Sequence, residues 1–308
     1  YWGIESTAID KNGIIWMATV RGLVKLEGKN WILYRMSKNE EINDYLYTIS
    51  IDSSGKIWVG TQTGMIASFD GKNWNAKYLN MSWGVPTSIA FDKNGDIWIG
   101  VYTGGVIKYD GKNMTVYTPY NSPLQDNSVT SLVIDKEDNK WIGTTYRGLT
   151  KISGDTWTNY NLLSIGVTVN DVTTIYIDKN DNKWIGTKYD NLVKYDGLNW
   201  DRYYDVNSEF SYGGINDINI DSNNIMWLGA DYGLVTIEGE KWDFYSSQNS
   251  SFPIDYVLGI TIDKNNRKWI WGNDNTYMRH LVMIDSSNKT VFKPLKLNLP
   301  DNFVKSIA

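Results

Sequence analysis

Seven tryptophans, spaced almost evenly, constrain this chain more than anything else in it. They sit in the motifs IIWMAT (Trp16), KIWVGT (Trp58), DIWIGV (Trp98), NKWIGT (Trp141), NKWIGT (Trp184), IMWLGA (Trp227) and RKWIWG (Trp269), at intervals of 42, 40, 43, 43, 43 and 42 residues. The heptapeptide DNKWIGT recurs unchanged at Asp138–Thr144 and Asp181–Thr187. A unit of this length repeated seven times, with several short apolar runs in each copy, marks a repeat architecture built from one supersecondary unit per repeat.

The fourth unit shows what that element is. SVTSLVID (Ser128–Asp135) is a β-branched run, KEDN a turn, KWIGT a second run, TYRG a turn, LTKIS a third run, GD a turn and TWTNY (Thr156–Tyr160) a fourth run. Four short runs joined by tight turns form an antiparallel meander. A composition with 15 Trp, 21 Tyr and 27 Gly, 42% hydrophobic overall, suits strands and turns around a sizeable core. Seven such meanders predict an all-β chain, a single seven-bladed β-propeller with four antiparallel strands per blade, whose radial closure removes most exposed sheet edges. It is expected to occupy residues 1–300 with no domain boundary.

The repeated residues then acquire packing roles. The tryptophan opening the second strand fills the wedge between neighbouring blades, a burial worth roughly 1.5–3 kcal/mol or more. The glycine two residues later (Gly60, Gly100, Gly143, Gly186, Gly229, with Ala18 in the first unit) leaves clearance for an adjacent strand. An aspartate closes the first strand of every unit: Asp10, Asp52, Asp92, Asp135, Asp178, Asp221 and Asp263. Its setting in DKNG and DSSG predicts an Asx-type bond holding the turn. A calcium loop of the EF type would need oxygen ligands alternating out to a distant Glu, a spacing no unit has.

The unit VTSLVIDKEDNKWIGTTYRGLTKI, with a tail read in YDGKN (Tyr109–Asn113) and YDGLNW (Tyr195–Trp200), resembles the two-component regulator propeller repeat, and the match spans all seven units. The resemblance implies a seven-bladed propeller of the sort that builds extracytoplasmic sensor portions of bacterial hybrid histidine kinases and other surface or secreted proteins. It implies no fixed catalytic residues.

Charge narrows the partners. With 30 Lys and Arg against 35 Asp and Glu, a balance of -5, no basic block exists to neutralise a run of phosphates or an anionic membrane surface. The absence of cysteine removes disulfides and thiolate metal sites without deciding the compartment. No motif calls for a cofactor or metal, and no apolar run approaches membrane-spanning length. YWGIESTAID lacks the pattern of a signal segment, so the sequence reads as a mature chain or an ectodomain piece.

Departures from the repeat carry the functional information. In a blade running outward from the channel, the inter-blade loops and the turn between second and third strands share one face. The loops vary: MSKNEEINDY (36–45), LNMSWGVP (79–86), TPYNSPLQDN (118–127), NLLSIGVTVND (161–171), DVNSEFSYGGIND (205–217) and SSQNSSFPIDY (246–256). Variation there marks the expected functional face. Tyr146, Tyr189 and Tyr232 occupy one place in three consecutive blades, and Arg147 and Asp190 follow two of them. They are candidates for stacking on sugar rings or gripping a peptide, or else simply part of the repeat. Trp83 lies outside any repeat position. The seventh unit replaces the glycine by Trp271 and lengthens the following turn, which brings Tyr277, Arg279 and the only histidine, His280, towards the same face. That change is either a site or drift in a terminal blade. Recurring Asn/Asp pairs (Asn43–Asp44, Asp126–Asn127, Asn170–Asp171, Asn216–Asp217) read as caps of the loop-to-strand corner.

Streptogramin B lyases resemble the chain in repeat and length, but no nucleophile motif or His/Glu constellation accompanies His280. The C-terminal DNFVKSIA (Asp301–Ala308) resembles a surplus first strand, expected either to close the ring or to begin a following module. The expectation is therefore a non-enzymatic binding propeller, with a glycan, peptide or protein partner, outside the cytoplasmic membrane. A lectin or scaffold unconnected to signalling and a lyase-like enzyme stand as alternatives.

Overall fold

The computed structural model describes residues 3–28, 30–36, 44–79, 84–189, 192–203, 213–285 and 293–294. Seven four-stranded antiparallel sheets follow one another along the chain, each made of four consecutive strands. Blade 4 comprises Val129–Ile134, Lys140–Thr144, Gly148–Ser153 and Thr156–Tyr160, in the places the apolar runs predict. First strands neighbour one another around the axis, and the ring closes where Ile4–Ile9 of blade 1 meets Tyr256–Ile262 of blade 7. Blade 1 thus takes its first strand from the N-terminal segment. Residues 301–308, the expected surplus strand, lie outside the described residues.

The tryptophans act as wedges. Trp141, 1% exposed, packs with Leu149 of its own blade and with Val172, Ile175, Ile185 and Val193 of blade 5. The glycine is a clearance between blades: a Cβ on Gly143 would lie 2.4 Å from Val172 Cγ1, the first buried residue of the next blade's inner strand.

The aspartate does more than hold its turn. Asp135 Oδ1 accepts from the backbone N–H of Glu137 (3.1 Å) and Asn139 (2.8 Å), while Oδ2 accepts from Trp141 Nε1 at 2.8 Å. The indole bond recurs at Asp10, Asp52, Asp92, Asp178 and Asp263. One carboxylate therefore fixes both the turn and the wedge. Burial pulls the Asp135 carboxyl upward, but Trp141, Asn139 and Lys183 together hold it below the usual carboxylate range.

Lys183 belongs to a second device. In blades 4, 5 and 7 the residue before the tryptophan is Lys140, Lys183 or Lys268, and all three are buried. Each reaches back to the previous blade's aspartate: Lys140 to Asp92 at 3.6 Å, Lys183 to Asp135 at 3.2 Å and Lys268 to Asp221 at 2.8 Å. Each ammonium also lies over the previous blade's tryptophan, at 5.1 Å from Trp98, 5.2 Å from Trp141 and 5.0 Å from Trp227. In blades 1, 2, 3 and 6 that position is Ile15, Ile57, Ile97 or Met226. The lysines are ionic latches between blades. Asp135, Glu137 and Asp181 gather three carboxylates in one place, but Lys183 stands among them, 2.6 Å from Asp181 Oδ2, so an ammonium already supplies the positive charge.

Candidate functional site

The turn between second and third strands is tied to the segment entering the inner strand, so both lie at one end of each blade. Val20 N donates to Gly3 O, Gln62 N to Tyr45 O, Thr145 N to Ser128 O, Lys188 N to Asp171 O and Asp231 N to Gly214 O. On this face Tyr146, Tyr189 and Tyr232 are all exposed, Tyr146 at 63%. Exposed tyrosines also stand in the corresponding turn of blade 7 (Tyr277) and at the end of blade 3's second strand (Tyr102). The turn tyrosine thus recurs in four successive blades, 4 to 7. No ring-to-ring contact joins these tyrosines to one another among the described residues, and the Lys188 ammonium lies 5.6 Å from the Tyr189 ring centre. Asp190 and Trp83 lie outside the described residues.

At blade 4 the face is hollowed. An open groove of about 500 Å3 is lined by Tyr120, Gln125, Asp126, Asn127, Tyr146 and Arg147. Tyr120, 92% exposed, comes from the loop between blades 3 and 4 and has no repeat register to single it out in the sequence. Asp126 clips that loop to the turn: Oδ1 accepts from Ser128 N and Oδ2 from Tyr146 N at 3.0 Å. The expected corner-capping role of the acidic residues holds here, and at Asp44, whose Oδ2 accepts from Met36 N. Asn43 lies outside the described residues.

The seventh blade's departures meet the needs of ring closure. Inner-strand residues one position past the first buried site form hydrogen bonds from blade to blade: Thr87 Oγ1 to Val129 O, Thr130 Oγ1 to Val172 O, Thr173 Oγ1 to Ile215 O and Asn216 Nδ2 to Val257 O. Blade 7 has Leu258 there, which cannot donate. Arg279 fills the gap, with Nη1 donating to Ile4 O at 3.3 Å and Nη2 pairing with Glu5 at 3.1 Å. Glu5 in turn accepts from the Tyr45 hydroxyl of blade 2. Trp271 is 5% exposed and packs with Ile4, Ile15 and Met17 of blade 1. Its neighbour explains how it fits: Gly259 pairs opposite it, where Ser131, Thr174 and Asp217 pair opposite the glycines of blades 4, 5 and 6. The large and small residues have exchanged strands.

Tyr277 belongs to the turn itself, and His280, in the strand Arg279–Ile284, is bonded to it. Asp274 Oδ1 accepts from Thr276 N and Met278 N, and its Oδ2 lies 2.8 Å from His280 Nε2. Burial opposes ionisation of Asp274, but these donors hold its carboxyl well below the usual range. Tyr277 occupies the left-handed position of this turn, φ 62°, with its ring 85% exposed. The structure therefore brings Tyr120, Tyr146 and Arg147 together around a groove, exposes Tyr189, Tyr232 and Tyr277 elsewhere on the same face, and draws Trp271 and Arg279 into the blade 7 to blade 1 junction.

One inner-strand acid has an altered titration. Asp217 stands where blades 1 to 5 have Ser or Thr, and accepts from Ile260 N of blade 7 at 2.7 Å and from Ile218 N at 2.9 Å. Burial, only partly offset by those two bonds, pushes its carboxyl up to about 7. A folded value above the unfolded 3.8 means the native state holds a proton that the unfolded chain has released between about pH 4 and 7. Stability from this group is therefore expected to be full below about pH 4 and to fall as pH rises to 7. Urea unfolding of wild type and Asp217→Asn across this range checks it: the difference between the two should change with pH in that window, and a constant difference refutes the assignment.

Neither the family models nor the curated proteins compared with the sequence give a match. Solved structures do. The extracellular domain assigned to a hybrid two-component system of B. thetaiotaomicron superposes with a TM-score of 0.74 at 23% identity, over 87% of this chain and 37% of that one. The extracellular domain assigned to a one-component system of the same organism gives 0.72 at 16% identity, over 96% and 46%. A streptogramin B lyase gives 0.73 at 14% identity, over 87% and 90%. The chain thus spans less than half of either B. thetaiotaomicron structure, and most of the lyase's length. No helix among the described residues is long and apolar enough to cross a membrane. In fold, the chain is a single seven-bladed β-propeller similar to the extracellular domains of these B. thetaiotaomicron systems.

Proposed function

We propose that the chain is a recognition module working outside the cytoplasmic membrane, binding a glycan or peptide on the face that carries the inter-blade loops. The observation that supports this most is the exposed tyrosine repeated in the second-to-third-strand turn of blades 4 to 7. A repeat that needed tyrosine for packing would bury it. Exposed tyrosines with few rotatable bonds offer broad, rigid contact area at low entropic cost. The likeness to extracellular domains of signalling systems favours a sensing role within a longer polypeptide.

The lyase neighbour and the His280–Asp274 pair support a second reading, in which the imidazole serves as a base on the same face. The two separate in one experiment. The purified chain is screened on glycan and peptide arrays beside a Tyr146→Ala/Tyr189→Ala/Tyr232→Ala variant, and captured ligands are followed for chemical change with wild type and His280→Ala. Recognition predicts binding lost by at least about tenfold in the tyrosine variant, one decade being about 1.4 kcal/mol, with the ligand unchanged. Turnover that depends on His280 supports the enzyme instead, and binding indifferent to the tyrosines refutes the face assignment.

A further inference from the structure

The blade 4 groove can be divided into what the fold requires and what it does not, because the chain contains an internal comparison. The loop TPYNSPL (118–124) and the loop SSQNSSF (246–252) are built alike. Thr118 N donates to Asn121 Oδ1, Asn121 Nδ2 to Val116 O and Ser122 Oγ to Thr118 O. Ser246 N donates to Asn249 Oδ1, Asn249 Nδ2 to Phe244 O and Ser250 Oγ to Ser246 O. Leu124 and Phe252 anchor the two loops in the core. Asp126 and Asp255 clip each loop to its blade's turn, through Tyr146 N and Asn275 N. The scaffold accounts for every one of these residues. It does not account for Tyr120, whose counterpart is Gln248, nor for Arg147, because the residue before the glycine that opens the third strand varies, being Arg21 in blade 1, Gly104 in blade 3 and Tyr232 in blade 6.

These two residues, with the recurrent Tyr146, define the groove's chemistry. Tyr120 is carried at the tip of a hydrogen-bonded loop, so its ring is held out before any ligand arrives. Arg147 is exposed and makes no ion pair among the described residues, and both oxygens of nearby Asp126 already accept backbone N–H groups. Asn127, on the groove wall, keeps an amide oxygen without a partner. Peptide capture by strand addition needs an open sheet edge, whereas loop and turn residues form this groove. A planar guanidinium beside two exposed phenol rings suits a ring-shaped ligand bearing a carboxylate, bound by a bidentate fork and by stacking.

We infer that this groove binds an acidic saccharide, with Tyr120 and Tyr146 against the sugar faces and Arg147 on a uronate carboxylate. The inference rests on the recognition reading above and names the ligand class for one part of that face. The test is calorimetric titration of the purified chain with a panel of uronate oligosaccharides (pectic, alginate and glycosaminoglycan), each beside its carboxyl-reduced counterpart and an acidic peptide. At least one uronate should bind about tenfold or more tightly than its reduced form. Arg147→Gln should erase that preference, Tyr120→Ala should weaken both forms, and Gln248→Ala, at the matching loop tip, should change neither. Neutral and acidic sugars binding equally through the tyrosines would overturn the uronate assignment while leaving the recognition reading intact. Tyr120-dependent binding of the acidic peptide alone would overturn it in favour of a peptide. A panel with no binding at all, or a preference that survives Arg147→Gln, also overturns it.

Discussion

Lys268→Met is expected to cost about 3–5 kcal/mol of folding stability at neutral pH, the range for removing one partner of a buried ion pair. The pair it breaks is fully enclosed, Lys268 and Asp221 both having side chains 0% exposed. Methionine fits the position in principle, since Met226 occupies it in blade 6, where the preceding blade's aspartate is Asp178. What differs is the aspartate. Asp178 is half-buried and accepts from Asn182 Nδ2 and Trp184 Nε1, so it does not depend on a cation, whereas Asp221 is sealed in and has Lys268 as its partner of opposite charge. Adding Asp221→Asn to Lys268→Met should recover most of the loss, because it removes the stranded charge. The pH dependence has a definite sign. Burial works against the ionised Asp221, but Lys268 holds its folded value below 3.8, so its contribution is present above that pH and is lost as pH falls through the folded value. Without Lys268 the folded value rises, and the variant's deficit should shrink as pH approaches about 4. Urea denaturation of both variants between neutral and acid pH measures this. A single-variant loss under about 1 kcal/mol, or no rescue in the double variant, would mean that the latches carry no net stability.

Trp271→Gly should cost a similar amount, about 3–5 kcal/mol, through the cavity left between blades 7 and 1. The exchange of large and small residues with Gly259 makes the prediction sharper than cavity formation alone. Gly259→Ser by itself should also destabilise, because a Cβ there would lie 2.1 Å from Trp271 Cζ2. The pair Trp271→Gly/Gly259→Ser restores the pairing of blade 4, where Ser131 lies opposite Gly143, and should be more stable than the sum of the single losses implies. Strictly additive losses in thermal or urea unfolding would show that the two positions are independent and that the exchange has no packing basis.

Much of this molecule is legible in its sequence, for a specific reason. The Trp, Gly and Asp positions recur because one junction is built repeatedly, so period alone locates blades, turns and the face bearing Tyr146, Tyr189 and Tyr232. The lysine latches are not legible that way. A lysine beside a tryptophan on a strand reads as solvent-facing, but the second strand of a blade is covered on both faces by neighbouring sheets, and Lys140, Lys183 and Lys268 are buried in consequence. Trp271 and Arg279 were visible as departures, yet a departure at the last blade also marks the one junction where chain ends meet, and there a large ring and a long donor serve closure. Tyr120 carries no such signal, because loop residues have no register. Aligning Thr118–Leu124 with Ser246–Phe252 supplies one, and only then does the tyrosine stand apart from its scaffold.

The distribution of latches has a mechanical consequence. Lys140 and Lys183 bind blades 3, 4 and 5 into one block, and Lys268 binds blade 6 to blade 7, while the corresponding position at the other junctions holds Ile or Met. A ring that looks seven-fold in outline is therefore unevenly sprung. Amide exchange should report slow, shared opening within blades 3 to 5 and faster opening at the unlatched seam between blades 5 and 6. The blade 4 groove stands on this doubly latched block, so a ligand held there would grip a body expected to move as a unit, with flexing left to the seams on either side.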